Sequence, residues 1–194
     1  MPRRPDPDLE SNILDAAQKL YSKGGERALT MRAVAKAAGT NTPSVYRRFR
    51  DRDDILRALL QRTRLEIASE LDAASSPQQA CERYLDFALA HSHEYELFYR
   101  HDYELQHSKG AKRAGVKLQG QPARDAMRRK LAAYLGGEPG DHEALLMSLW
   151  MQAHGAAMLL ISNVILPEEA EFARAVFRSS VAALLKSSQH LKSS

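Results

Sequence analysis

The stretch Thr30-Met31-Arg32-Ala33-Val34-Ala35-Lys36-Ala37-Ala38-Gly39-Thr40-Asn41-Thr42-Pro43-Ser44-Val45-Tyr46-Arg47-Arg48-Phe49 decides the fold. Thr30 offers a side-chain oxygen to the free N–H groups that open a helix, and the helix it starts runs through Ala38. Gly39 stops that helix with a tight turn, and Asn41 is a second good cap. Pro43 then falls where a first-turn N–H has no intrahelical partner to lose. Two short helices joined at Gly39 and packed against a longer preceding one make a helix-turn-helix. Val34, Ala35 and Ala38 are small or apolar, so the next helix can cross closely, and Val45 and Phe49 anchor that helix inward. Thr42, Pro43, Ser44, Tyr46, Arg47 and Arg48 are left for faces able to enter a DNA major groove.

Working outward, the preceding segment Asp8–Lys23 carries Ile13, Leu14, Ala17, Leu20 and Tyr21 as one apolar helical stripe. Gly24-Gly25 is expected to end it. Asp51 opens a fourth helix running from Arg52 to about Ala74, with Asp53 and Asp54 in its first turn. Ser75-Ser76-Pro77 breaks the pattern. Further helices are expected over Gln79–His91, through an aromatic-rich segment to about His107, and over Ala123–Leu135, Glu143–Leu166 and Glu168–Lys186. The segment Gln106–Pro122, with three glycines and four basic residues, reads as a loop or frayed helix. No alternation long enough for a strand is present, so the chain is expected to be all-α.

Charge is unevenly placed. Residues 1–62 hold 13 Lys/Arg against 8 Asp/Glu, whereas 63–194 hold 15 against 16. The positive excess therefore lies wholly in the first third, as a polyanion-binding surface requires.

Residues 9–60 resemble the tetracycline-repressor (TetR) family of transcription regulators. The resemblance is carried by Ile13-Leu14-Asp15-Ala16-Ala17, Leu29-Thr30-Met31-Arg32-Ala33-Val34-Ala35, Ala38-Gly39, Val45-Tyr46-Arg47-Arg48-Phe49 and Asp51-Arg52-Asp53-Asp54-Ile55-Leu56. It implies a dimeric repressor whose third helix reads DNA. It also implies that Arg32 reaches DNA from the second helix and that Thr42, Pro43 and Ser44 lie where base contacts concentrate. Tyr46 and Arg52 are implied as backbone contacts. Thr30 and Asn41 are counted with these DNA-binding candidates because they open the two short helices. Arg47 and Arg48 have the chemistry to reach a guanine edge. With Arg47, Arg48, Arg50 and Arg52 in six positions, strong non-specific binding is a hazard.

The expected division places a DNA-binding domain at 1–55 and a ligand-binding and dimerisation domain at 56–194. Trp150 with His154-Gly155, after Tyr84-Leu85-Asp86-Phe87-Ala88 and Glu96-Leu97-Phe98-Tyr99, is similar to a subgroup of TetR C-terminal domains. Phe87, His91, Tyr95, Phe98, Tyr99, Met147, Trp150, Met151 and His154 are the candidate ligand-binding residues, since aromatics and methionines with a few polar groups suit an apolar or aromatic effector. The last two helices suit a two-fold homodimer interface: Phe172, Val176, Phe177, Val181, Leu184 and Leu185 are expected inward, interleaved with small residues.

The partners expected are a double-stranded DNA operator, a second copy of the chain and a small-molecule effector, with no cofactor, no metal and no membrane. A cytoplasmic location fits the single cysteine, Cys81. No glycine-rich phosphate loop, nucleophile elbow or His-Glu-x-x-His run supports an enzyme. Weaker alternatives are a metal sensor around His91, His93, His101 and His107, a redox switch at Cys81, a ligand-free architectural DNA protein, and an activator.

Overall fold

The computed structural model describes residues 8–107 and 121–190, with the side chains of 100–107 and 190 outside that description. Most of the expected loop 106–122 therefore falls outside it, as do the side chains of His101, Tyr103 and His107. Every regular element among the described residues is helical: α1 (Leu9–Ala28), α2 (Met31–Ala37), α3 (Thr42–Arg48), α4 (Arg52–Ala73), α5 (Pro77–Ala90), α6 (Ser92–His107), α7 (Pro122–Leu135), α8 (Glu143–Ile161), a 3₁₀ turn (Pro167–Glu169) and α9 (Ala170–His190).

The chain forms two compact units. The first joins the residues up to Thr63 with the segment beginning at His93; the second joins Arg64–Ser92 with the residues from 120 onward. The passage between them falls inside α4, between Thr63 and Arg64.

The first unit grows from local chemistry. The Thr30 hydroxyl oxygen accepts from the Ala33 N–H at 3.1 Å, and Asn41 Oδ1 accepts from the Ser44 N–H at 2.9 Å, so both expected caps are made. Gly39, at φ 63°, takes the left-handed conformation between them. The α1 run continues to Ala28 but is not helical throughout: Gly24 and Gly25 leave helical geometry, Gly25 at φ 57°. Ile13, Ala17, Tyr21, Val34, Ala35, Val45 and Phe49 bury together with Ile55, Leu56, Leu59 and Leu60 of α4. Leu97 of α6 completes this core, and Glu94, also buried, accepts a hydrogen bond from the Ser22 hydroxyl of α1.

In the second unit α5 packs on α7, α8 and α9. The chain breaks at 74–76 as expected, and α5 starts at Pro77 rather than Gln79: Ser76 Oγ accepts from the Gln79 N–H at 3.1 Å and Pro77 is the first helical residue. The C-terminal half of α4 is tied down by Arg83–Glu70 at 3.0 Å and Arg129–Asp72 at 2.9 Å. Lys130 Nζ donates to the Ala74 carbonyl at 2.5 Å, satisfying an acceptor left over at the end of α4. Arg174 reaches Asp86 at 2.5 Å, joining α9 to α5.

Three expectations need correction. α8 ends at Ile161, not Leu166, because Asn163 adopts φ 53°. The Val164 N–H then bonds to Leu159 O at 3.1 Å and the Asn163 N–H to Leu160 O at 3.2 Å, the paired closure that uses up a helix's last carbonyls. A 3₁₀ turn at Pro167–Glu169 follows, so the last helix begins at Ala170 rather than Glu168. On α9, Phe177, Val181 and Leu185 are buried as expected, but Phe172 (75% exposed) and Val176 (48%) face outward. Phe172 and Phe177 are five residues apart, about 140° around a helix, so one face cannot hold both.

Candidate nucleic-acid interface

Recognition begins with which side of α3 is spent on the core. Val45 and Phe49 are buried, and Tyr46, Arg47 and Arg48 project on the exposed side. Pro43 is exposed and Thr42 partly so. Ser44 departs from expectation. It is buried, and its hydroxyl accepts from Arg47 Nη2 at 2.6 Å, so it orients an arginine instead of facing outward itself. Thr30 and Asn41 remain exposed, with a side-chain oxygen of each engaged in capping. Arg32 is exposed on α2.

The arginines after α3 are matched by acids, some local and some brought by the fold. Arg52 Nη2 donates to Glu26 Oε2 at 2.5 Å. Arg57 lies 3.0 Å from Asp54 and 3.7 Å from Asp51, and Arg50 lies 3.6 Å from Asp54. Partial burial raises the Asp54 carboxyl, but the Arg50 backbone N–H and the Arg57 and Arg50 side chains outweigh it, so its pKa lies below the ordinary value. Arg62 pairs with Asp15 at 2.6 Å. Asp51 shows in the sequence as the residue that opens α4 and Asp54 as a first-turn acid; Glu26 and Asp15 pair through the tertiary fold alone.

The candidate ligand-binding residues divide between the units. Tyr95, Phe98 and Tyr99 belong to the first: Tyr95 is fully buried, its ring 4.8 Å from Tyr99, and Phe98 packs against the core that holds α1–α3. Phe87, His91, Met147, Trp150, Met151 and His154 belong to the second. Phe87 is buried, with the exposed His91 ring 4.6 Å away. Met147 and His154 are half-buried, and burial lowers the His154 pKa, favouring the neutral ring. Trp150 (42% exposed) stacks on His154 at 6.1 Å, and Met151 (59%) is open on the outside of α8.

Cys81 is buried, and burial together with the Glu82 charge pushes its thiol up to about 12, far from the thiolate a redox switch needs. Among the described residues no group of three or more His, Cys, Asp or Glu side chains is placed to hold a metal.

A helix-turn-helix with its outer face basic, in a chain whose other unit is also helical, is the architecture of a DNA-binding regulator. The model of bacterial regulatory proteins of the tetR family matches residues 13–59, and that of the tetracyclin repressor-like C-terminal domain matches residues 78–184. The chain belongs to the TetR family of transcription regulators. A protein of unknown function from a Rhodococcus species shares the fold at TM-score 0.72 with 22% identity, covering 96% of this chain and 98% of that one. A TetR transcriptional regulator from Streptomyces coelicolor matches at TM-score 0.66 with 18% identity, covering 94% and 98%. A tetracycline repressor variant from Acinetobacter baumannii in complex with minocycline matches at 0.62 with 17% identity, covering 94% and 97%. No curated protein matches the sequence significantly.

Proposed function

We propose that this regulator is a repressor that binds a palindromic operator as a homodimer and is released by a small apolar or aromatic effector. The observation that carries the DNA-binding part is α3 itself. It is anchored by Val45 and Phe49, and it holds Tyr46, Arg47 and Arg48 outward with Arg47 steadied by Ser44. Residues 1–55 then carry the side chains that meet DNA, and residues 56–194 take the effector and the second copy.

The homodimer reading is supported by apolar side chains exposed on the last two helices and the turn between them. Met151, Leu159, Val164, Leu166, Phe172 and Val176 are all more than 40% exposed. Such a surface is costly to leave in water and suits a two-fold helical interface. α8 is also long and apolar enough to cross a membrane by length and composition; the same apolar outer face fits a partner helix. Two copies present two reading heads to half-sites one helical turn apart.

For the effector, support comes from Phe87 on α5 and Met147 and His154 on α8, two helices that pack together in the second unit. α4 is the element common to both units. An effector favouring a state with wrongly placed reading heads lowers operator affinity by its differential binding energy. Moving the equilibrium from about 1:99 to 99:1 takes about 5.5 kcal/mol of that preference. A cytoplasmic, non-catalytic role follows from the same reading.

The deciding experiment selects bound fragments from random DNA at near-physiological salt. An enriched inverted repeat, released by a compound that also raises the thermal midpoint, is the expected result. Equal binding to all fragments with steep salt dependence overturns the repressor reading in favour of an architectural role.

A further inference from the structure

The run Arg47, Arg48, Arg50, Arg52 poses a problem that the structure answers. A reading head this rich in arginine should grip any duplex through phosphate contacts alone, because that part of the affinity carries no sequence information. We propose that Glu26 restrains the sequence-independent grip on DNA by competing with DNA phosphate for Arg52. The inference rests on the DNA-binding reading above.

Arg52 opens α4 immediately after the recognition helix, where resemblance implies a phosphate contact. Its Nη2 is held by Glu26 Oε2 at 2.5 Å, while its Nε is buried without a hydrogen-bond partner. Asp51 and Asp54 sit near their arginines through local helix spacing, and Asp51 also caps the Asp54 N–H at 2.8 Å. Glu26, in contrast, comes from 26 residues away, delivered by the turn in which Gly25 takes φ 57°. Both side chains are over a third exposed, at 39% for Arg52 and 36% for Glu26. The pair is thus open to exchange and is not sealed in a core.

A phosphate that takes the Arg52 N–H now given to Glu26 must displace this carboxylate. The displaced Glu26 then lies beside a polyanion, within the roughly 8 Å over which charges act at physiological salt. Every sequence meets that cost equally. Base contacts from α3 are made by other side chains, so this cost falls on the phosphate part of the affinity alone and weakens operator and mixed-sequence binding by the same factor.

The test is equilibrium binding of the full-length protein to its selected inverted repeat and to a mixed-sequence duplex, over a series of salt concentrations. Glu26→Gln is expected to tighten mixed-sequence binding by about two- to fivefold per reading head, the range of an exposed ion pair. The slope of log affinity against log salt should steepen by about 0.9 per reading head, and affinity for the inverted repeat should rise by the same factor. Adding Arg52→Gln to Glu26→Gln should remove the extra slope, which a general loosening of the fold would not do. Glu26→Ala gives the same reading should the glutamine variant unfold. Glu26 variants that bind mixed-sequence DNA no more tightly, with the unsubstituted protein binding normally, overturn the inference alone. An unsubstituted protein that binds no DNA overturns the reading beneath it as well.

Discussion

Arg47 reaches back one turn to the buried Ser44, its Nη2 2.6 Å from the Ser44 hydroxyl oxygen. An exposed arginine ordinarily spreads over many rotamers, and ordering it on binding costs side-chain entropy. A serine held in place by the core prepays part of that ordering, so α3 presents one guanidinium in a near-fixed pose.

Ser44→Ala should therefore loosen Arg47 without unfolding the head. Operator affinity is expected to fall about three- to tenfold, near the 1 kcal/mol net value of one hydrogen bond, with the thermal midpoint nearly unchanged. Fluorescence anisotropy with a labelled operator measures the first quantity. An affinity equal to that of the unsubstituted protein removes Ser44 from the recognition apparatus.

Leu97 lies on α6 but is buried in the core with Ile13, Tyr21, Leu56 and Leu60. Leu97→Ala should cost about 2–5 kcal/mol, the range for deleting a buried leucine side chain. Denaturant unfolding gives the value. A cost well under 1 kcal/mol would show that α6 does not wall this core.

Arg128 and Arg124 grip Glu143 and hold its carboxyl at about 2, below its ordinary 4.5. Because the folded value is the lower one, the stabilisation is complete above about pH 4.5 and is lost as pH falls through about 2. Glu143→Gln should lower the thermal midpoint at pH 7, and the gap from the unsubstituted protein should close near pH 2. A gap that persists there assigns the effect to packing rather than charge.

Phe172 is the most exposed large apolar side chain in the described chain. Phe172→Asp should yield a folded monomer at micromolar concentration, with operator affinity reduced more than tenfold because one half-site contact is lost. Light scattering after size-exclusion chromatography reports the mass. A dimer of unchanged stability would place the interface elsewhere.

The reading head was legible because its determinants are local. Caps at Thr30 and Asn41 and the left-handed Gly39 act within a few residues of themselves, and Val45 and Phe49 betray their inward face by spacing. Ser44 is hidden for an equally local reason: polarity suggests exposure, but a hydroxyl buries readily once a neighbouring guanidinium donates to it. Glu26 and Arg52 are 26 positions apart, and no periodicity joins them. Asn163 hid the end of α8 because its neighbours are apolar enough to continue a helix, and one residue at positive φ decides the matter. Among the candidate ligand-binding residues, spacing could not sort Phe98, packed on the head's core, from Phe87, buried in the other unit, since both read as helical aromatics.

The wall that Leu97 supplies has a practical consequence for anyone recombining such regulators. The head is not a portable cassette cut cleanly within α4. A chimera that transplants residues 9–63 onto a foreign body leaves behind Leu97 and the Glu94 carboxylate that receives Ser22. The recipient must supply a replacement for both, or its new DNA specificity will arrive with an open seam.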